Sequence, residues 1–245
     1  MKKFILVAAL FILSSCATQP FTYYWRVKDV VLQKGPTVEF YKPDEQIALT
    51  LPTRTVQEVM LAHLRINRSA NVQSELCIVD GDDPNAFAAP LANGQRIIAI
   101  NVGMMKLLGS DVNEYAALIG HEAAHWAKGH AAAGQSRTST LNAIGTLVGV
   151  GLGAAGVPAA GVISGLGVDL IDSSYNRDQE READALSVDY MIANHYDPKA
   201  AITLHEIFLK LDSGFHLPFL SSHPSSEERI QNLKALIEAK QAPEP

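Results

Sequence analysis

Residues 121–125 read His-Glu-Ala-Ala-His inside a stretch whose apolar residues recur at helical spacing. Two histidines four apart on a helix differ by about 40° in azimuth, so His121 and His125 project from one face and can share a metal ion. A catalytic zinc takes three protein ligands and keeps a fourth position for water, with nitrogen ligands at about 2.0–2.1 Å. Glu122 can then aim its carboxylate at the attacking water and accept its proton. The pattern fixes few positions and also occurs by chance on surface helices. Here Ala116, Ala117, Leu118, Ile119, Ala123, Ala124 and Trp126 make the helix so apolar that burying three polar side chains without a joint purpose would be costly.

A third ligand must come from elsewhere, and the stretch YNRDQEREAD at 175–184 offers acids among residues that look like core: Ala183, Ala185, Leu186 and Val188. Glu180 and Glu182 lie about 200° apart on a helix, so only one can face the metal. Glu180 shares its face with Asp184, which would place a second acid where it can bond a ligand histidine or lie near the leaving group. The spacing favours Glu180 over Glu182. Glu182→Ala is accordingly expected to keep both metal and activity.

These residues need a scaffold. Apolar Val56, Val59, Met60 and Leu64 predict a helix over 54–67, SELCIVD at 74–80 a short strand, and RIIAINV at 96–102 a second strand. Between them, after the turn Gly81-Asp82-Asp83-Pro84, the segment Asn85, Ala86, Phe87 and Ala88 is a candidate sheet edge that can pair through its backbone with an extended peptide. Asp111, with Glu114 three residues on, caps the helix that carries His121 and ends at Gly129. Further helices are expected over 175–194, 198–211 and from Ser225 to about Ala239. The sum is an α+β fold: a mostly helical body with a small sheet beside the metal-binding helix.

The 245-residue chain is long enough for one sizeable core, and its net charge of −6 comes without a basic patch, which argues against nucleic acid as a partner. Residues 1–15 have the form of a secretory signal, with Lys2 and Lys3 ahead of an apolar stretch from Phe4 to Leu13 that is too short to span a bilayer. Leu13-Ser14-Ser15-Cys16 resembles the bacterial lipoprotein box, which makes Cys16 the lipidation site and the membrane a partner through it. Ala17, where lipoproteins retained in the inner membrane carry aspartate, points to the periplasmic face of the outer membrane. Cys77 then has no partner within the chain and is expected to be buried in its strand. Residues 16–52 read as a tether and extended arm, and 53–245 as the main domain. The uncharged run 138–168 contains eight glycines and Pro158, which divide it into a helical hairpin rather than one spanning helix.

Taken together, His121 to His125, Arg177 to Asp184, Asn85 to Ala88, and Ser222-His223-Pro224 with Glu228-Arg229 resemble the HtpX-like zinc metallopeptidases of the gluzincin type, in the same order over roughly Thr53 to Ile237. The resemblance implies a zincin-like metallopeptidase domain holding one Zn2+. It implies Glu180 as the third ligand beside His121 and His125, Glu122 as general base and Asp184 as proton donor. It also implies that His223 can approach the metal from the side opposite the catalytic helix, either displacing the water or stabilising the oxyanion. Asn176 departs from the serine common in the family and puts a local hydrogen bond in doubt. The expected function is hydrolysis of unfolded or misassembled envelope proteins, in association with outer-membrane assembly machinery. A lipoprotein scaffold or chaperone that holds clients in the same cleft without cutting them is the alternative. Prenyl-protein processing would require the multiple spanning helices of other relatives.

Overall fold

The computed structural model describes residues 23–91, 93–130, 175–212, 217–225 and 227–242. The signal segment, Cys16 and the run 138–168 lie outside the described residues. A four-stranded sheet joins β1 (Tyr24–Arg26), β4 (Glu75–Val79), β6 (Arg96–Asn101) and β5 (Ala86–Pro90) in that spatial order, and β2 (Thr37–Tyr41) pairs with β3 (Ile47–Pro52) as a hairpin. The helices are α1 (Val27–Val30), α2 (Thr53–Ala70), α3 (Val102–Leu108), α4 (Val112–Ala127), α5 (Arg177–Ala193), α6 (Lys199–Asp212), α7 (Pro218–Ser222) and α8 (Glu227–Gln241). The expected α+β architecture is borne out. Among the described residues no helix is long and apolar enough to cross a membrane.

From residue 23 on, the stretch expected as tether and arm supplies β1, α1 and the hairpin, and Trp25, Val30, Phe40 and Leu51 lie in the same buried cluster as α2 and α4. Alternation sorts the sheet. Leu76, Ile78, Ile98 and Ile100 face the helices, while Cys77, Val79, Ile97 and Ala99 form a smaller cluster on the other face. Burial pushes the Cys77 thiol up to about 12, which leaves it an inert core residue.

The central helix is α4, buried from Glu114 to Trp126 and packed on α2, α5 and α6. Its entry is fixed by Asp111, whose carboxylate accepts from Asn113 N and Glu114 N, and by the Tyr115 hydroxyl, which donates to Met105 O and Gly109 O. Its exit is held by the Trp126 indole, which donates to Ile97 O of β6 at 2.9 Å. Where α4 crosses α5, a Cβ on Gly120 would lie 2.6 Å from Ser187 Oγ, and that hydroxyl donates to Ala117 O. The absent side chain lets the two helices approach closely enough to share a site.

On α2, His63 is buried with Asn67 and Ser74, its Nε2 3.2 Å from Ser74 Oγ. Burial lowers its pKa from 6.5 to about 4. Between those values the unfolded chain binds a proton that the folded chain refuses, so stability falls as pH drops through that window and the loss is complete below about 4. Relative to a His63→Gln variant, metal-free wild type should lose about 2–3 kcal/mol more stability between pH 7 and pH 4.5. Urea denaturation at the two pH values measures the difference.

Candidate metal centre and active site

The capping of two helices brings the site together. α4 presents His121, Glu122 and His125; α5 presents Glu180 and Asp184; the turn after α7 presents His223. The start of α5 is set by Asn176, whose side chain accepts from Asp178 N and Gln179 N while Gln179 returns a bond to Asn176 N, a complete capping box. The asparagine thus supplies the local hydrogen bond that its departure from serine had put in doubt. Glu180, Ala183, Asp184, Ser187 and Val188 then fall on the buried face of α5.

Four donors converge: His121, His125, Glu180 and His223, all buried, offer ligand atoms within 4.8 Å of one another. His121 Nε2 lies 3.1 Å from His125 Nε2, 3.2 Å from His223 Nδ1 and 3.5 Å from Glu180 Oε2. Glu180 Oε1 lies 3.2 Å from His125 Nε2 and 3.1 Å from His223 Nδ1. Ligands at about 2.0–2.1 Å from a tetrahedral zinc stand about 3.3–3.4 Å apart, and these five separations, with Glu180 offering one or the other oxygen, are close to that spacing. The chemistry of the set agrees, since three imidazole nitrogens facing one another are satisfied only by a shared cation or proton. Two histidines and a glutamate are a catalytic zinc set, and His223 sits at the corner that a water would take.

Electrostatics favour a cation at this point. Burial opposes charge on Glu180, yet His223, His121 and His125 outweigh it and hold its pKa well below the carboxylate range. Burial likewise opposes charge on His121, but Glu180 and Asp184 raise it to about 10. His125 is held well below its ordinary value, chiefly by burial, and keeps a free lone pair.

Of the two positions open to Asp184 in the sequence, the structure shows the bond to a ligand histidine: its Oδ1 is 3.1 Å from His121 Nδ1. Burial opposes its charge, but Arg229, His121 and His205 outweigh it and hold the pKa well below the usual range, so in this arrangement Asp184 is ionised and positions His121. The Arg229 guanidinium, 5% exposed, donates to both Asp184 oxygens at 2.8 and 2.7 Å, to Glu180 Oε2 at 2.5 Å and to Pro224 O at 2.9 Å. One arginine of α8 therefore ties both acids of α5 to the turn that carries His223.

Glu122 is fully buried and its Oε1 lies 3.5 Å from His223 Nε2. The Ala88 backbone of β5 faces its carboxylate, yet neither oxygen has a hydrogen bond of ordinary geometry. Burial raises its pKa. Asn85 to Ala88 border the same place: β5 pairs antiparallel with β6, Ala86 opposite Ile100 and Ala88 opposite Ile98, and its other edge has no strand partner among the described residues. Glu182 points away from the donors, half-exposed, with Lys128 Nζ 2.6 Å from Oε1 and His130 Nε2 3.3 Å from Oε2.

Arg229, His130, His205 and Tyr175 are the site neighbours whose roles the sequence did not disclose. Arg229 carried only the weak signal of following Glu228 within the quoted motifs. His130 and His205 lack ligand spacing because neither faces the metal position: His130 lies against His125, and His205 lies beside Asp184, which in turn backs His121. Tyr175 stacks on His125, ring centroids 3.6 Å apart at 19°.

A helix bearing H-E-x-x-H, a glutamate from a following helix and the buried Glu122 carboxylate beside them are the arrangement of a gluzincin-type metal centre. Comparison with known proteins agrees: the model of peptidase family M48 matches residues 50–237, and the chain belongs to that family. It is similar to the metalloprotease LoiP of Escherichia coli K12, 32% identical over 157 residues that make up 64% of this chain and 60% of LoiP. It is also similar to the metalloprotease YcaL of the same bacterium, at 28% identity over 63% of this chain and 59% of YcaL. The mitochondrial metalloendopeptidase OMA1 of Schizosaccharomyces pombe is 28% identical over 74% of this chain and 52% of its own length. The chain spans about half to three-fifths of these relatives. The kinship expected from the motifs is borne out.

Proposed function

We propose that the protein is a zinc metalloendopeptidase that cuts unfolded or misassembled envelope proteins from a lipid anchor on the periplasmic face of the outer membrane. The observation that carries the reading is Glu122, a fully buried carboxylate with two unbonded oxygens at the rim of a ligand tetrahedron. A buried acid whose oxygens lack an ordinary hydrogen bond is costly to keep, and the scaffold alternative has no use for it. The names of LoiP, YcaL and OMA1 as metalloproteases support the same activity.

When bound, zinc supplies Lewis acidity that polarises the peptide carbonyl and acidifies water. His121, His125 and Glu180 hold it, with Asp184 and Arg229 fixing His121 and Glu180. Glu122, its proton affinity raised by burial, takes a proton from the attacking water and returns it to the leaving amine. His223 withdraws from the fourth corner to admit substrate and then donates to the developing oxyanion.

The unpaired edge of β5 receives the extended peptide. Since Ala88 turns its backbone toward Glu122 and strand groups alternate, Ala86 presents its N–H on the same outer edge. Ala86→Pro removes that donor and should slow cleavage of unfolded casein at least about tenfold while zinc stays bound. Full activity in a folded, zinc-loaded Ala86→Pro protein would remove β5 from the account.

The anchoring part of the proposal rests on the segment ahead of Cys16 and on Ala17. Cys16→Ser should move the protein out of the outer-membrane fraction with its peptidase activity intact, whereas unchanged fractionation would end the lipid-anchor reading. Contact with outer-membrane assembly machinery is part of the same proposal, and crosslinking at the periplasmic face is its test.

A further inference from the structure

The two ligand histidines of α4 are held by unlike partners. His121 is backed by Asp184, a carboxylate paired with a buried arginine. His125 is backed by another histidine: its Nδ1 lies 3.1 Å from Nδ1 of His130, which is 8% exposed. Gly129, at φ 71°, ends the helix and turns the chain so that His130 folds back onto the preceding turn.

We propose that His130 and Glu182 form an outer relay that fixes the metal-binding tautomer of His125, so that a surface carboxylate sets how tightly the metal is held. The inference rests on the reading of His125 as a metal ligand. His125 Nε2 lies at the ligand tetrahedron, so its lone pair is committed there and its proton must sit on Nδ1. His130 Nδ1 must then accept that proton's hydrogen bond with its lone pair, which places the His130 proton on Nε2. That nitrogen is 3.3 Å from Glu182 Oε2, and Glu182 Oε1 is 2.6 Å from Lys128 Nζ. Every link from the ammonium to the ligand nitrogen has one defined donor and one defined acceptor. The Tyr175 ring, stacked on His125, blocks rotation out of this arrangement.

Partners that orient ligand histidines typically contribute about 10–100-fold to metal affinity. A neutral imidazole is a weaker acceptor than a carboxylate, so Glu182 is needed to complete its polarity, and it does so from a position that is 43% exposed in its side chain. Glu182→Ala, silent on spacing alone, thereby acquires an expected effect. His130 and Glu182 are positioning residues: neither has an atom at the ligand tetrahedron.

The test is zinc affinity of the full chain, measured by competition with a chromophoric chelator, together with the visible spectrum of the cobalt(II) form. His130→Leu should weaken zinc binding about 10–100-fold and shift the cobalt bands. His130→Gln, whose amide oxygen can accept from His125, should recover most of the affinity. Glu182→Ala should weaken binding a few-fold, and His125→Ala should lose it by far more. Wild-type affinity in His130→Leu alongside loss in His125→Ala overturns the relay. Wild-type affinity in His125→Ala overturns the ligand assignment beneath it. If His130→Leu fails to fold, the half-exposed Glu182→Ala decides, and unchanged affinity and cobalt spectrum there overturn the proposal.

Discussion

Glu122→Gln leaves a folded, metal-loaded protein whose hydrolysis of unfolded casein falls by about 10²–10⁴-fold, the contribution of a positioned general base. The amide keeps the shape of the side chain and lies beside His121, not among the four ligand atoms, so zinc content should not change. Stability should hold or rise, because the substitution removes a buried charge that has no ordinary hydrogen bond. The combination of a higher or equal Tm with lost turnover is the signature of a group kept for chemistry. Loss of zinc along with activity in Glu122→Gln would instead place the carboxylate in the ligand set.

The largest effect on stability is expected from Arg229→Leu. The guanidinium is the shared partner of two buried carboxylates, and removing one partner of a buried ion pair typically costs about 3–5 kcal/mol, because the remaining charge stays in the interior. Arg229→Lys should rescue little, since an ammonium cannot reproduce the paired bonds to Asp184 Oδ1 and Oδ2 while also reaching Glu180 Oε2. Added zinc should return part of the loss by supplying a cation to Glu180. Urea denaturation with and without zinc separates these contributions, and a cost below about 1 kcal/mol, the worth of an exposed pair, would contradict the clamp.

The parts of the site that lie within one helix were legible in the sequence. His121 and His125 share a face by azimuth with Glu122 beside them, and the same arithmetic allowed only one of Glu180 and Glu182 to face the metal, with the i+4 spacing to Asp184 and the family resemblance favouring Glu180. β5 was legible as an edge because a turn and a strand bracket Asn85 to Ala88. What the sequence withheld is what forms across elements. β1 pairs with β4 and Trp25 stands opposite Ile78, a partnership between segments some fifty residues apart that leaves no periodic trace. Arg229 reaches from α8 to α5, and His130 returns to His125 only because the chain reverses at Gly129. The nature of the Asp184 contact was also hidden, for spacing placed the acid on the correct face and could not choose between a ligand imidazole and a leaving group.

The central claim is that peptide hydrolysis depends on one metal ion held by His121, His125 and Glu180. The measurement that bears on it most directly is cleavage of unfolded casein by wild-type protein that has been stripped of metal, dialysed free of chelator and titrated with zinc. Cleavage should be absent at the start and should rise to saturation at one zinc per chain, with no recovery in Glu180→Ala at the same zinc concentration. Cleavage by the stripped protein, or full recovery in Glu180→Ala, would contradict the account.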